Sequence, residues 1–240
     1  MLLEIAVFNI GSALRAVEAG ADRLELCENP GEGGTTPSYG TLKTAREKIK
    51  IPVFPIIRPR GGDFLYTAGE FEVIKKDIAL CKELGFEGVV TGLLLADGTI
   101  DATRTKELVS LAYPMEVTFH RAFDRSTDPV ESLETIIRCG CQRILTSGQV
   151  PNAGDAKTVL RDLVEKAGDR IIILPGSGVR SSNIKEIADY TGAVEMHSSA
   201  RTNEASLMAY KKESMNEELK NVSVDVDEIR KMKAAFNAQQ

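Results

Sequence analysis

The sequence of 240 residues has no excess of positive charge and no long apolar run. Its 30 lysines and arginines are outnumbered by 35 acidic residues, so the formal net charge is −5. A nucleic-acid-binding surface needs clustered positive charge, and we therefore expect no nucleic-acid partner. No apolar stretch approaches the roughly 18 residues that a membrane span requires, so we expect no insertion into a membrane.

Cysteine is scarce, with four residues in the whole chain: Cys27, Cys81, Cys139 and Cys141. Four thiols do not make a disulfide framework in a reducing compartment. The first residues already have the pattern of a strand, over Leu2–Val7, which leaves no room for a signal peptide. We therefore expect a cytoplasmic protein. The Cys-Gly-Cys pair at 139–141 has no third or fourth ligand nearby, which argues against a metal site there.

A fourfold repeat organises the chain. Each copy has a glycine that ends a helix, then a short connector and a strand. The glycines of the repeat are Gly20, Gly85, Gly140 and Gly192. Strands of a second kind alternate with these, at Leu2–Val7, Val53–Ile57, Glu116–His120 and Ile171–Leu174. Helical patterns separate the strands, as in a chain built from repeated strand–helix units.

Eight strand–helix units in a chain of this length predict an α/β fold, a (β/α)8 TIM barrel. A doubly wound open sheet is the alternative, but it does not explain the fourfold repeat. No domain boundary is apparent, so we expect a single domain over residues 1–240. A long loop at residues 198–224, before the last helix, is the one irregular stretch. Loops of that length usually carry function or lie at an interface.

The candidate site follows from strand parity. In a TIM barrel the carboxyl ends of the strands form the active face, and alternate strand residues point inward. This rule brings His120 and His197 to one mouth, together with Glu25 and Cys27, and Asp124 follows in the loop after His120. Buried charges are costly unless they are paired, so this concentration of acids and bases predicts a catalytic or ligand-binding site. The candidate catalytic residues are Glu25, His120, Asp124 and His197.

Structural interpretations of the same residues stay open at this point. They are a hydrogen-bonded core histidine for His120, a helix cap for Asp124, a rim charge for Arg121 and a small buried side chain for Cys27. Two deeper acids, Glu4 and Glu195, could pair with Arg58 as a structural plug. The sequence alone does not decide between these interpretations and a working site.

Two loops supply groups that suit an anionic ligand. Arg58 and Arg60 precede a pair of glycines, and guanidinium groups grip carboxylates and phosphates. The loop Pro175-Gly-Ser-Gly-Val179 lets backbone N–H groups approach an anion, at the position that many barrels use for phosphate. The candidate substrate-binding residues are Arg58, Arg60, Arg121, Gly176, Gly178 and Ser199.

Six motifs together resemble the CutC family: Glu25-Leu-Cys27, Gly34-Thr-Thr-Pro-Ser38, Arg58-Pro-Arg-Gly-Gly-Asp63, Thr118-Phe-His-Arg-Ala-Phe-Asp124, Leu145-Thr-Ser-Gly148 and His197-Ser-Ser199. The resemblance covers about residues 1–199. It implies a (β/α)8 barrel, a cytoplasmic location and self-association, and we expect a homodimer. It also implies a role in copper homeostasis, with cuprous ion bound through Cys27, near Glu25 and His120.

Three functions therefore compete at this mouth. The resemblance predicts a protein that binds or handles copper, with Cys27 as the metal ligand. The residues alone predict an isomerase, lyase or hydrolase for a small anionic or phosphorylated substrate, with His120 as general acid or base and Glu25 as its partner. A divalent metal on Glu25 and His120 is a further expectation. No lysine falls on an inward strand end, which argues against Schiff-base chemistry. The third hypothesis is a barrel that serves mainly as an interaction module.

Overall fold

Eight parallel strands form the centre of the structure, a computed structural model that describes residues 1–237. The last three residues of the predicted domain, 238–240, lie outside the described part. The strands are β1 (Leu2–Val7), β2 (Arg23–Leu26), β3 (Val53–Pro55), β4 (Gly88–Thr91), β5 (Glu116–Phe119), β6 (Arg143–Thr146), β7 (Ile172–Pro175) and β8 (Glu195–Ser198). They pair in the orders β3-β2-β1-β8 and β4-β5-β6-β7.

Two contacts close these sheets into one barrel. Ile56, just after β3, forms a parallel bridge with Val90, next to the end of β4, and β7 lies directly against β8. Within residues 1–237 the helices are α1 (Ile10–Glu18), α2 (Tyr39–Lys48), α3 (Ala68–Leu84), α4 (Ala102–Ala112), α5 (Pro129–Cys139), α6 (Lys157–Ala167), α7 (Ile184–Thr191) and α8 (Val226–Asn237). None of them is long and apolar enough to cross a lipid bilayer. The predicted (β/α)8 barrel is confirmed.

Local sequence signals set the helix boundaries. Gly85, Gly140 and Gly192 follow α3, α5 and α7 in the left-handed conformation, with φ of 79°, 88° and 75°. Residues with a Cβ rarely adopt this conformation, which explains why the repeat carries glycine at these positions. The Asp128 side chain accepts hydrogen bonds from two backbone N–H groups in the first turn of α5, and Pro129 occupies the first helical position.

Strand parity separates an outer apolar layer from the barrel interior. In β5, Phe119 is fully buried in the main apolar core. The interior holds a smaller apolar cluster formed by Cys27, Phe54, Ile56 and Val90. Gly88 makes room for this cluster, since a Cβ at that position would lie 2.5 Å from the Phe54 ring. The remaining inward positions carry polar and charged residues, which form the site described below.

The stretch predicted as one long loop, residues 198–224, is instead built around an antiparallel hairpin. Strand β9 (Arg201–Ala205) pairs with β10 (Lys220–Val224), and Asn9 Nδ2 donates to Val222 O at 2.8 Å at the base of the hairpin. The prediction of an irregular loop is therefore wrong. Most residues of β9 are exposed, so the strand lacks the apolar–polar alternation by which a half-buried strand is recognised.

Candidate functional site

A cavity of about 400 Å³ opens at the carboxyl ends of the barrel strands. Eight of the predicted site residues line it: Glu25, Cys27, Arg58, His120, Arg121, Gly178, His197 and Ser199. Among the described residues, Arg60, Asp124 and Gly176 are the predicted site residues that do not line it. Both histidines thus face the same cavity, as strand parity indicates.

Glu4, His197 and Glu25 form a line of titratable groups beside this cavity. His197 lies opposite Glu4 in the register of β1 and β8, and Glu25 lies beside Ala6 in the register of β1 and β2. His197 Nδ1 is 2.7 Å from Glu4 Oε1, and His197 Nε2 is 3.6 Å from Glu25 Oε2. One imidazole ring therefore stands between two carboxyl groups.

The protein environment gives these three groups different proton affinities. Burial alone would raise the pKa of Glu4, but the Arg23 guanidinium and His197 lower it to about 2. Burial raises the pKa of Glu25 to about 7, against the attraction of His197. Burial alone would lower the pKa of His197, but the hydrogen bond to Glu4 and the charge of Glu25 raise it. Glu4 therefore stays ionised, while Glu25 and His197 interact and titrate as a coupled pair.

A buried ion-pair network holds Glu4 in place. Arg23 donates to Glu4 at 2.5 Å and to Glu195 at 2.6 Å, and Arg143 Nε donates to Glu195 at 2.8 Å. The alternative in which Glu4 and Glu195 pair with Arg58 is therefore wrong, since their cationic partners are Arg23 and Arg143. Parity could have found Arg23, which occupies an inward position of the second strand.

His120 lies in a different part of the cavity wall. Its Nδ1 accepts a hydrogen bond from the Ala122 backbone N–H at 3.2 Å, and its ring centre is 4.8 Å from that of Phe64. A Cβ at Gly92 would lie 2.6 Å from Nδ1, so glycine is required for this packing. Burial and the nearby charge of Arg58 lower the pKa of His120 to about 3. The His120 ring is therefore neutral at physiological pH.

The imidazole within ion-pair distance of Glu25 belongs to His197, at 3.6 Å. The predicted pairing of Glu25 with His120 is thus replaced by a pairing with the other candidate histidine. The ligands expected for a divalent metal, Glu25 and His120, are likewise not the ones that lie together. Within residues 1–237, one group of three close potential ligands occurs, and it consists of Glu4, Glu25 and His197.

Arg58 faces the cavity, but its terminal nitrogens are already used. Nη1 donates to the backbone oxygens of Glu32 and Gly34 at 2.5 and 2.9 Å, and Nη2 donates to that of Gly62 at 2.8 Å. The guanidinium centre lies 4.9 Å from the centre of the Phe64 ring. Arg58 therefore holds the loops around the cavity together and contributes positive charge. Its two terminal nitrogens already donate to backbone oxygens, so they are not free to bind an anion in a bidentate manner.

The three predicted residues outside the cavity lining support its wall. Arg60 turns to acidic side chains of its own loop and of α3. The side chain of Asp124 is 3% exposed and accepts a hydrogen bond from Arg121 Nε at 2.7 Å, so it anchors Arg121 and does not cap α5. A Cβ at Gly176 would lie 2.5 Å from Leu145 Cδ1, which places this glycine in tight packing.

The structure adds Ser177, Arg180 and Arg201 to the cavity wall. Arg180 follows the glycine loop after β7, and Arg201 begins β9 in the stretch that has no recognisable strand pattern. Neither arginine occupies an inward position of a barrel strand, so strand parity could not find them. Together with Arg121, they give the cavity an arginine-rich rim that suits an anion.

Cys27 lines the cavity as a buried thiol. Burial raises its pKa well above the ordinary value, and the carboxylates of Glu25 and Glu4 raise the pKa further, although the thiolate is the form that binds metals. Cuprous ion prefers two or three soft ligands, and no other cysteine of the described chain lines the cavity. The group of three close ligands, which includes His197, contains no thiol. These residues do not fit a cuprous site of several soft ligands; oxygen and imidazole donors suit a divalent cation.

Comparison with known proteins identifies the family. The profile of the CutC family matches residues 1–202. This chain belongs to the CutC family. Curated proteins named CutC from Chromobacterium violaceum and Photorhabdus laumondii are each 50% identical to it over 88% of its length. The matches cover 85% and 84% of those two relatives.

Solved structures agree with the family and the fold. The crystal structure of a CutC protein from Streptococcus agalactiae, whose name refers to copper homeostasis, superposes with a TM-score of 0.79 at 33% identity. That match covers 83% of this chain and 98% of the other. Phosphoribosyl anthranilate isomerase from Thermotoga maritima superposes with a TM-score of 0.62 at 15% identity over 99% of both chains, and this likeness shows the barrel fold alone.

Proposed function

We propose that this CutC-family protein is an enzyme that moves a proton on a small anionic substrate. The observation that carries the proposal is the arrangement of Glu4, His197 and Glu25 beside the cavity. The ionised Glu4 orients the His197 imidazole through a hydrogen bond at Nδ1, so that Nε2 faces Glu25. General acid–base catalysis is most efficient when the pKa of the catalytic group lies near the working pH, and the pKa of Glu25 is about 7.

The rim of the cavity supports the choice of an anion. The guanidinium groups of Arg121, Arg180 and Arg201 lie at the opening of the cavity. Gly178, in the loop after β7, and Ser199, after β8, add polar groups to the same wall. A volume of about 400 Å³ suits a small molecule. The phosphorylated or carboxylated end of the substrate would bind at this rim, and its reacting carbon or oxygen would face Glu25.

The acid–base arrangement can take up a proton and return it within one cycle. The ionised form of Glu25 accepts a proton from the substrate. His197 is held beside Glu25 because its Nδ1 is hydrogen-bonded to ionised Glu4, and its Nε2 side stabilises the carboxylate charge of Glu25. The protonated carboxyl of Glu25 can then return the proton to the same or to a different atom. Isomerisation, lyase chemistry and hydrolysis all use such a step.

Deuterium incorporation tests this proposal while the substrate is still unidentified. Small carboxylates and phosphates are first screened for thermal stabilisation of the protein, and each binder is then incubated in D₂O and analysed by NMR and mass spectrometry. We expect deuterium uptake or conversion of at least one binder, and a loss of about 10²–10⁴-fold in Glu25→Gln. Glu47→Gln, exposed on α2, serves as the control and should behave as the parent. The absence of uptake and conversion for every binder would contradict the proposal.

Copper binding is the second candidate function, favoured by the position of Cys27 in the same cavity as His120 and His197. The name of the Streptococcus agalactiae relative points the same way. Cuprous ion is titrated into reduced protein without oxygen, against a competing chelator, with Cys27→Ser and the control Cys139→Ser. One tight equivalent that is lost in Cys27→Ser alone would support this function. Weak binding, or equal binding in both variants, would exclude Cys27 as the ligand.

We also propose a cytoplasmic location and a homodimer. The location is supported by the cysteines, all four of which are free thiols, as proteins of a reducing compartment have. The dimer is supported by the family resemblance. Light scattering at micromolar concentration should give twice the 26.1 kDa mass of one chain, and the mass of a single chain would contradict the dimer.

A further inference from the structure

His120 is clamped in one orientation by its neighbours. The side chain is 4% exposed, and the Phe64 ring lies against it at 4.8 Å between ring centres. The Nδ1 and Cε1 edge faces Gly92, where an added Cβ would lie 2.6 and 2.8 Å from these atoms. The ring is therefore closely packed on this edge, and in this orientation Nδ1 also faces the Ala122 backbone N–H.

The hydrogen bond at Nδ1 decides which nitrogen carries the proton. The Ala122 backbone N–H can only donate, so Nδ1, at 3.2 Å, is the acceptor and carries no proton. In a neutral ring the proton then sits on Nε2. Among the described residues Nε2 has no hydrogen-bond partner, although it is buried. Buried donors in proteins are almost always paired, and an unpaired one on a residue that lines the cavity points to a ligand.

The surroundings of His120 also keep the ring from taking a second proton. The guanidinium centres of Arg58 and Arg125 lie 4.9 and 5.4 Å from the centre of the Phe64 ring that covers the histidine. Burial and these two positive charges hold the pKa of His120 at about 3. The ring offers a neutral N–H and is a poor acid and a poor base at physiological pH.

We propose that the Nε2–H of His120 is a neutral hydrogen-bond donor to a carbonyl oxygen of the substrate, which is a small anion with an acidic C–H beside that carbonyl. This inference rests on the proposed function, in which Glu25 moves the proton. A neutral imidazole N–H is too weak an acid to protonate a leaving group, but it stabilises negative charge that develops on an oxygen. Isomerase and lyase reactions that pass through an enolate fit this donor.

The proposed step balances within the site. The Glu25 carboxylate takes the proton from the carbon beside the carbonyl group, and the electron pair of that C–H bond forms a carbon–carbon double bond. The π pair of the carbonyl moves onto its oxygen, where the His120 N–H stabilises it as an enolate. The protonated Glu25 then returns the proton to the same or a neighbouring atom. No oxidant, reductant or further reactant is consumed.

Nitrogen-15 NMR tests the state of His120 directly, because the chain has just two histidines. Between about pH 6 and 8, we expect His120 to be the neutral Nε2–H tautomer without titration. A His120 ring that is protonated on both nitrogens, or one that carries its proton on Nδ1, would overturn the inference. The wild-type protein suffices, so no variant has to fold.

The substrate class is tested with two pairs of anions that differ in the carbonyl group. Pyruvate is compared with propionate, and dihydroxyacetone phosphate with n-propyl phosphate. We expect at least one carbonyl anion to shift the His120 Nε2–H signal more than its partner does. Equal shifts within both pairs, or no shift with either carbonyl anion, would overturn the carbonyl assignment. Failure of the proposed function is distinguishable, because it removes deuterium uptake in wild-type protein and leaves the His120 tautomer unchanged.

Discussion

The buried carboxyl group of Glu25 predicts that the protein loses stability as the pH rises. Burial raises the pKa of this group from its ordinary value of 4.5 to about 7 in the folded protein. A carboxyl with a raised pKa favours the folded state in its protonated form. Its contribution is therefore fully present below about pH 4.5 and is lost as the pH rises to about 7.

The size of this effect follows from the same two pKa values. At about 1.4 kcal/mol per pKa unit, the difference between 4.5 and about 7 amounts to roughly 3 kcal/mol above pH 7. Glutamine has the shape of a protonated carboxyl and cannot ionise. We expect Glu25→Gln to be more stable than the parent by roughly 2–3 kcal/mol at pH 8, and by less than about 1 kcal/mol at pH 5.

Urea unfolding followed by circular dichroism at pH 5 and pH 8 measures this difference. The matched control is Glu47→Gln, an exposed glutamate on α2, which should change the free energy of unfolding by less than about 0.5 kcal/mol at either pH. A Glu25→Gln variant that is equally or less stable than the parent at pH 8 would refute the reasoning. That result would mean that the ionised carboxylate of Glu25 is well compensated by a cation in the folded protein.

Three further substitutions test the surroundings of the site. Arg23→Met removes a cation from buried Glu4 and should lower the free energy of unfolding, measured in urea, by about 3–5 kcal/mol. A decrease below about 1 kcal/mol would contradict the role of the ion-pair network. Gly92→Ala places a Cβ 2.6 Å from His120 Nδ1 and should cost about 1–3 kcal/mol; unchanged His120 NMR signals would contradict this packing. Asp128→Ala removes the cap of α5 and should cost about 1 kcal/mol in thermal unfolding; shifted histidine signals would contradict its separation from the site.

Much of the barrel could be predicted because its signals are local. The end of α3 depends on the left-handed conformation of Gly85, and the start of α5 depends on the cap at Asp128. Each boundary is therefore determined by a few neighbouring residues. The hairpin is different, because its strands are held by pairing with each other and by contacts with distant parts such as Asn9. No periodic apolar pattern is required for such a strand, and Arg201 at its start was therefore missed.

The site could be predicted in part, for a related reason. Strand parity is a local property, and it correctly brings Glu25 and His197 to the cavity. Parity also places Arg23 inward, but which charges pair depends on the register between strands and on side-chain length, so parity alone does not assign Arg23 to Glu4. Parity becomes uninformative in the loops, so it does not fix the direction of Arg60, whose guanidinium pairs with Glu70 of α3.

The most direct test of the central claim is a carbon-13 NMR titration of the glutamate side-chain carboxyl groups between pH 4 and 9, in the parent protein and in Glu25→Gln. Because the pKa of Glu25 is raised to about 7, one carboxyl signal titrates at about pH 7 and is missing from the variant. The account would be contradicted if every glutamate titrated below about pH 5.5, or if the signal that titrates at neutral pH persisted in Glu25→Gln.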